Sequence, residues 1–381
     1  MIIKEIRARE IKDSRGDLTI EVFVNGCKAS SPNGKSTGKY ETRPYYKSLR
    51  GDIDFLNSFD KKIEIKKFDE LIKVENAARK RLGANSLYAF ESAILKALAK
   101  EKGVDLWEVI NSKARKFPFP VGNVVGGGLH SSSLENRPEF QEFLVIPQAK
   151  KFSDNVKIMN FIYNKLQGIL KTKEKNDEGA LLVGKNNKEI LDLLNKVKVD
   201  AENKFGVKIG VGIDAASSTF YRGGKYFYKD SKLSQKEQLR FMEEIIFNYG
   251  LFYLEDPLYE KDFKRFAKIT KKSGDCLIAG DDLTATQIKR VRKAIRKKSI
   301  NAMIIKPNQN GSLLELKEIF DICKKAGIKT ILSHRSGETM DDALADYAFG
   351  FQADFIKCGV STRWREGKLG RMEGIERAMR R

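Results

Sequence analysis

The chain is poor in cysteine and histidine, has no long apolar run, and carries too few acids to balance its bases. Its four cysteines, Cys27, Cys276, Cys323 and Cys358, are scattered without a Cys-x-x-Cys pair. That excludes a disulfide scaffold, argues against a thiolate zinc site and points to a reducing cytoplasm. The two histidines, His130 and His334, lie in polar stretches, and neither reads as a core histidine. No apolar run approaches the ~18 residues a membrane span needs. Met1 to Ile6 alternates apolar and charged residues, which reads as a strand and not as a signal peptide.

Against 72 Lys+Arg stand 51 Asp+Glu, a formal net charge of +21 over 381 residues. Such a balance suits a nucleic-acid partner, an anionic small substrate or a solvated basic surface. The densest basic run, Lys289 to Lys298, follows Ile288 and encloses Val291 and Ile295 at helical spacing. That is the pattern of an amphipathic helix with one apolar stripe and a charged outer face. Charge alone is non-specific, and no base-stacking aromatic motif or zinc-finger spacing accompanies it. We read the run as a solvated face and expect no nucleic-acid partner.

Hydrophobic residues make up 41% and aromatics 10%, which excludes a disordered chain. The length suits one domain of ~250 residues with a smaller one. Residues 1–116 read as mixed α and β. Ile3–Ile11 and Leu18–Val24 alternate as paired strands around the turn Asp13-Ser14-Arg15-Gly16-Asp17. A helix is expected from Asn85 to Lys102, capped by Asn85 or Ser86. Phe117-Pro118-Phe119-Pro120 breaks any helix and marks the expected boundary between domains 1–116 and 117–381.

Beyond it, short β-prone runs each end in a polar residue and alternate with amphipathic helices. The terminal residues are Asp214, Glu255, Asp281, Lys306, His334 and Lys357, separated by 41, 26, 25, 28 and 23 positions. A repeating strand-helix unit of about 25 residues is the rhythm of a parallel α/β barrel, whose strand ends converge on one mouth. A doubly wound open sheet would spread the same residues along a crevice.

Asp214, Glu255 and Asp281 are hard oxygen ligands that suit Mg²⁺ or Mn²⁺ and not zinc. Lys306 and Lys357 share that mouth. Nearby divalent cations would disfavour a charged lysine, so each reads as a base or a substrate contact. Ser333-His334-Arg335-Ser336-Gly337-Glu338-Thr339 offers a guanidinium fork and a hydroxyl to an anion. Gly34-Lys35-Ser36-Thr37 is not a P-loop, because position 29 is Ala29 where that motif needs glycine. It reads either as a lid whose backbone nears a ligand or as a surface turn.

Taken in order, these segments resemble the enolase (phosphopyruvate hydratase) family over almost the whole chain. The likeness runs through Asp13-Ser14-Arg15-Gly16, Pro32 to Gly38, Leu82 to Ser86, Gly127 to His130, Gln141-Glu142-Phe143 and Asp177-Glu178-Gly179. It continues through Ile213 to Ser217, Glu255-Asp256-Pro257, Gly280 to Thr284, Lys306 to Gln309, Ser333 to Thr339 and Ile356 to Gly359. The resemblance implies a modified (β/α)8 barrel of TIM type with an N-terminal α+β cap. It implies the interconversion of 2-phosphoglycerate and phosphoenolpyruvate, a step of glycolysis and gluconeogenesis, with two Mg²⁺ in the substrate complex. Asp214, Glu255 and Asp281 would hold one Mg²⁺. The second would arrive with substrate and the Ser36 loop. Lys306 would remove the C2 proton, and Glu178, assisted by Glu142, would be the acid for the departing hydroxyl. Arg335, Ser336 and Lys357 would hold phosphate and carboxylate, with His130 near the phosphate. Ser333, His334, Glu142, Glu255 and Asp281 would also line the substrate. A cytoplasmic homo-oligomer, dimer or octamer, is implied as well.

The sequence departs from the family at several points. Ala180 replaces the second glycine of Asp-Glu-Gly-Gly, Lys35 replaces a small residue, and Thr219 stands where the family has Glu. Thr362 to Leu369 differs from the usual Arg-rich pattern. These changes leave a second reading, a paralogue acting on another phosphorylated hydroxy acid, and the charge of +21 leaves a third, a basic binding protein on the same fold.

Overall fold

The computed structural model describes residues 1–35, 38–60, 62–131, 137–360 and 362–380. The N-terminal region opens with an antiparallel meander, β1 (Ile6–Lys12), β2 (Leu18–Val24) and β3 (Cys27–Ser30), in which Ile6 pairs with Val24 and Lys12 with Leu18. Ile20, Val22 and Val24 fall on one face at the two-residue period of a strand and are fully buried. Helices α1 (Leu49–Asn57), α2 (Leu71–Ala78), α3 (Ala84–Lys102) and α4 (Leu106–Asn111) complete this region, with α3 packed on β2 and β3.

The cap of α3 differs from expectation. The helix starts at Ala84 after an extended Gly83, and Asn85 and Ser86 lie inside its first turn. The Asn85 side chain is engaged elsewhere. It donates to Asn33 Oδ1 at 2.9 Å and accepts from Asn308 Nδ2 at 2.9 Å. Glycine is required at 83 because a Cβ there would stand 2.1 Å from the Tyr45 Cα.

The remaining chain builds β4 (Phe119–Gly126), β5 (Glu142–Pro147), α5 (Phe152–Leu170), β6 (Leu181–Leu182), α6 (Asn187–Phe205) and β7 (Ile209–Asp214). A small antiparallel sheet follows, β8 (Tyr221–Arg222), β9 (Lys225–Phe227) and β10 (Lys232–Ser234). Then come α7 (Gln235–Tyr249), β11 (Tyr253–Glu255), α8 (Phe263–Lys272), β12 (Leu277–Gly280), α9 (Ile288–Arg296) and β13 (Ala302–Ile305). The chain ends with α10 (Leu313–Lys325), β14 (Lys329–Ser333), α11 (Ala343–Gly350), β15 (Phe355–Lys357) and α12 (Arg363–Ala378). Strands pair in the order β4-β5-β7-β11-β12-β13-β14-β15, and β15 returns to β4. The sheet is a closed eight-stranded barrel of TIM type, with the N-terminal sheet and helices as a cap, and this closure excludes the open doubly wound sheet.

The barrel is not uniformly parallel. β5 runs antiparallel to both β4 and β7. A parallel neighbour needs a crossover of a dozen or more residues, usually helical. Among the described residues, the β4–β5 link holds only the short 3₁₀ turn Gly128–Ser131, so β5 folds straight back. The reversal places Glu142, its first residue, directly across from Asp214, the last residue of β7. Val121, Leu144, Ile146, Tyr253, Ala302, Ile304 and Ile331 fill the barrel interior, while Met303 and Ile305 alternate outward toward the helices.

The cap is tied to the barrel by buried acid. Glu91 of α3, fully buried, accepts the Leu313 N–H of α10 at 2.7 Å. Beside it Glu75 of α2 accepts the Ser312 hydroxyl. Burial, and then the charge of Glu75, hold the Glu91 carboxyl well above the usual range. An acid raised in the fold contributes its stability below its unfolded-state pKa and loses it as pH climbs toward the folded-state value. Glu91→Gln keeps the acceptor for Leu313 and cannot ionise. Urea midpoints should therefore move in favour of the variant between about pH 5 and pH 9, a window above the unfolded-state value. An unchanged difference across that range contradicts the assignment.

Candidate active site

One polar pocket occupies the barrel mouth. Its wall includes Glu142 from the start of β5, Asp214 from the end of β7, Asp281 and Lys306 just beyond β12 and β13, Ser333 to Ser336 at and beyond the end of β14, and Lys357 at the end of β15. Glu255 ends β11 beneath it. Glu178 reaches the pocket from a tight turn before β6. There the Asn176 Oδ1 accepts the N–H groups of Glu178 and Ala180, each at 3.0 Å. Asn123 Nδ2 then donates to Glu178 Oε2 at 3.3 Å.

Two lysines sit among the acids. Lys357 Nζ lies 2.8 Å from Glu142, 2.8 Å from Glu255 and 3.4 Å from Asp214. Lys306 Nζ lies 2.5 Å from Asp281. Burial works against both charges, but the acids outweigh it and hold both lysines above their usual value. The acids as immediate neighbours set the sign of that shift, whereas the depression expected for these lysines belongs to the state with divalent cations beside them.

The acids outnumber these lysines. Burial, against the pull of Lys357 and with repulsion from Glu142 and Asp281, pushes the Asp214 carboxyl up to about 7. Burial and Asp214 push Glu255 up to about 8. Burial and Asp281 push Asp282 up to about 7. Glu255 Oε1 and Asp281 Oδ1 are buried and accept no hydrogen bond. A buried carboxylate oxygen without a donor is costly, and a hard divalent cation is the partner these oxygens fit. Among the described residues, the acids whose oxygens approach within 4.8 Å of one another are Asp256, Asp281 and Asp282, which share only Asp281 with the expected trio. Asp256 is already engaged, since it accepts the N–H groups of Asp281 at 3.1 Å and Asp282 at 2.7 Å.

His334 is almost fully enclosed, which revises the reading of it as a loop residue away from any core. Its Nδ1 accepts from Arg365 Nε at 2.9 Å, and its Nε2 stands 3.8 Å from Glu178 Oε2. Burial, then the positive charge of Arg365, holds the ring far below its usual pKa, so it is neutral. Arg335 grips Glu41 with both terminal nitrogens, at 2.9 and 3.2 Å, and reaches Asn308 Oδ1 at 3.2 Å. Ser333 Oγ donates to the His334 carbonyl at 3.1 Å, and Ser336 Oγ accepts the Lys35 N–H at 2.7 Å.

The Gly34 segment therefore lies over the pocket. Asn33 and Gly337 exchange backbone hydrogen bonds of 2.7 and 2.9 Å, and a Cβ at Gly34 would stand 1.8 Å from the Arg335 guanidinium. Close approach of backbone to side chain explains that glycine. Ser36 and the side chain of His130 lie outside what the structure describes. The His130 backbone is in the turn Gly128–Ser131.

Sequence reasoning missed Glu41, Asp256, Asp282, Arg365 and Gln141, whose Nε2 donates to Asp214 Oδ2 at 3.2 Å. Asp256 and Asp282 each follow a flagged acid, and that adjacency was the available signal.

The barrel matches a family model described as "Enolase, C-terminal TIM barrel domain" over residues 114–379. The chain is 36% identical to the enolase of Thermoplasma acidophilum over 398 residues, covering 99% of this chain and 98% of that one. It is 36% identical to the enolase of Archaeoglobus fulgidus over 397 residues, covering 100% and 98%. It is 35% identical to the enolase of Sulfurisphaera tokodaii over 401 residues, covering 98% and 95%.

If the acids await a cation, Mg²⁺ or Mn²⁺ alone should raise the unfolding temperature, with about 2.7 kcal/mol gained at 100 times the dissociation constant. The gain should grow as pH rises through about 7 to 8, where Asp214 and Glu255 shed their protons. Glu255→Gln should lose most of it. An equal shift in that variant, seen by differential scanning fluorimetry, places the cation elsewhere.

Proposed function

We propose, from the premise that this chain belongs to the enolase family, that it interconverts 2-phosphoglycerate and phosphoenolpyruvate with Mg²⁺. Family membership makes it a lyase of the phosphopyruvate hydratase type. The observation that carries the finer reading is one pocket lined by a half-buried lysine, Lys306, a buried acid, Glu178, and Asp281, with unpartnered carboxylate oxygens on Asp281 and on Glu255, which pairs with Lys357 of the pocket wall.

The chemistry explains the residue set. A proton next to a carboxylate is weakly acidic, because its loss puts a second negative charge on the same group. Mg²⁺ bound by Asp214, Glu255 and Asp281 would supply electrostatic stabilisation of that charge. Lys306 is the proposed base at C2. Its Nζ is now an ammonium paired with Asp281, and it must give up a proton as well as that partner before it can take one from C2. A divalent cation on Asp281 would favour that loss by neutralising the anion that holds the lysine charged. Lys357 offers an ammonium to the substrate carboxylate, and Arg335 with Ser336 offers donors to phosphate. Arg335 exchanges the Glu41 carboxylate for the substrate anion. Glu178 gives the departing hydroxyl its proton, with Glu142 beside it at the mouth. The proposed roles of Ser36 and His130 rest on the family likeness alone, as do a cytoplasmic location and a homo-oligomer. Among the described residues no helix is long and apolar enough to cross a membrane. We also propose the division into 1–116 and 117–381, supported by a family match that begins at residue 114.

A related phosphorylated hydroxy acid is the second reading. It is favoured by Thr219 and Lys35 in the pocket wall, where the family has Glu and a small residue.

Purified protein with Mg²⁺ and 2-phosphoglycerate should raise ultraviolet absorbance as the conjugated product forms. Lys306→Ala should cut turnover by a factor of at least about 10²–10⁴ and abolish exchange of the C2 proton with solvent. Glu178→Gln should block dehydration but keep that exchange. Wild-type protein that binds metal yet neither dehydrates 2-phosphoglycerate nor exchanges its proton would sink the primary reading. Exchange with another hydroxy acid would support the second.

A further inference from the structure

The pocket's wall depends on a residue that lines no part of it. Arg365, in the first turn of α12, is the largest fully buried side chain among the described residues. Among the described residues it pairs with no carboxylate. Its donors go instead to neutral acceptors: His334 Nδ1 at 2.9 Å, and the Asp177 carbonyl, the Thr362 hydroxyl and the Arg335 and Ser336 carbonyls, each at 3.1 Å. A buried guanidinium is costly, and only full use of its five donors makes it tolerable. Room for it is reserved by Gly359, which has φ +55 and where a Cβ would stand 2.4 Å from Arg365 Cδ.

Apart from Thr362, the N-cap of its own helix, these partners belong to the pocket's supports. Asp177 precedes Glu178. His334, Arg335 and Ser336 form the segment that faces the proposed phosphate. One planar fork thus joins the turn bearing the proposed acid to the segment bearing the proposed anion donors. The bond to His334 adds a chemical constraint. Arginine Nε always carries its hydrogen and can only donate. Nδ1 must therefore present its lone pair, and the one hydrogen of a neutral ring must sit on Nε2, the nitrogen nearest Glu178.

We propose that Arg365 is a positioning residue that locks His334 as the neutral Nε2–H tautomer, so that the ring serves the pocket as a fixed hydrogen-bond donor to an oxygen at or beside Glu178. The charges around the ring agree with a neutral state, since Arg365, Lys357, Lys306 and Lys368 all disfavour an imidazolium and Glu178 is the nearby acid. Lysine cannot replace this function, because its ammonium has no planar fork to span Asp177, His334 and residues 335–336 together. Its catalytic part rests on the dehydratase reading above, whereas the tautomer does not.

The test is ¹⁵N NMR of histidine-labelled protein. The chain has only two histidines, so a His130→Gln sample assigns His334 outright. Wild-type His334 should show a protonated Nε2 and an unprotonated Nδ1, unchanged from about pH 5.5 to 8.5 around the usual histidine pKa. A protonated Nδ1 or a titrating ring in the wild-type protein overturns the proposal without any variant. Arg365→Lys and Arg365→Gln should release the tautomer and lower kcat by about 10- to 100-fold, the range for lost supporting hydrogen bonds, with a smaller change in KM. Should both variants fail to fold, the wild-type spectrum still decides. A folded variant that keeps the Nε2–H tautomer refutes the lock. A wild-type protein with the expected tautomer but no activity on 2-phosphoglycerate refutes the dehydratase reading and leaves the lock standing.

Discussion

Buried charge governs the mouth of this barrel. Asp214, Glu255, Asp281 and Glu142 are drawn into a space too dry to solvate them, and Lys357 and Lys306 are the ammonium groups that make it tolerable. The compensation is incomplete. Asp214 and Glu255 stay partly protonated near neutral pH, and oxygens of Glu255 and Asp281 lack donors. Such a site is unstable alone and receptive to a cation, which is how a fold can store affinity for a metal in its own electrostatics.

The barrel makes this possible by convergence. Parallel strands bring their last residues to one rim, so side chains far apart in sequence meet. The reversed strand β5 extends the rule, because its first residue stands where other strands present their last. Glu142 thereby joins a cluster built otherwise from strand ends, opposite Asp214. The cap closes the pocket from above, with Asn33 paired to Gly337 and Glu41 seated on Arg335. Glu41 is an anion of the chain's own on a guanidinium suited to a substrate anion. The described structure therefore holds Arg335 folded and satisfied, its donors taken by Glu41 and Asn308.

Much of this was legible in the sequence, and the limits are physical. Apolar runs ending in Asp, Glu, Lys or His at steps near 25 residues gave the barrel and its rim, because strand burial and strand ending are local properties. The direction of β5 was not legible. Phe143 to Pro147 is apolar throughout and reads alike in either sense, and the strand's direction is set by the link before it. Asn85 carries the chemistry of a helix cap, but a tertiary bridge to Asn33 and Asn308 claimed its side chain. Glu178 stands in a turn without periodicity, and only family likeness singled it out. Arg365 and Glu41 resemble surface charges on a helix and in a loop. Nothing short of packing reveals that one is wholly buried and the other paired to Arg335.

The central claim is that the acids at the rim form a cation site on the Asp214, Glu255 and Asp281 side of the pocket. Anomalous diffraction from crystals grown with Mn²⁺ tests it most directly. The account predicts one strong peak bonded to carboxylate oxygens of those three residues, at metal–oxygen distances of about 2.0–2.3 Å as for small octahedral divalent ions. A peak held instead by Asp256 and Asp282, or none at saturating Mn²⁺, would contradict it.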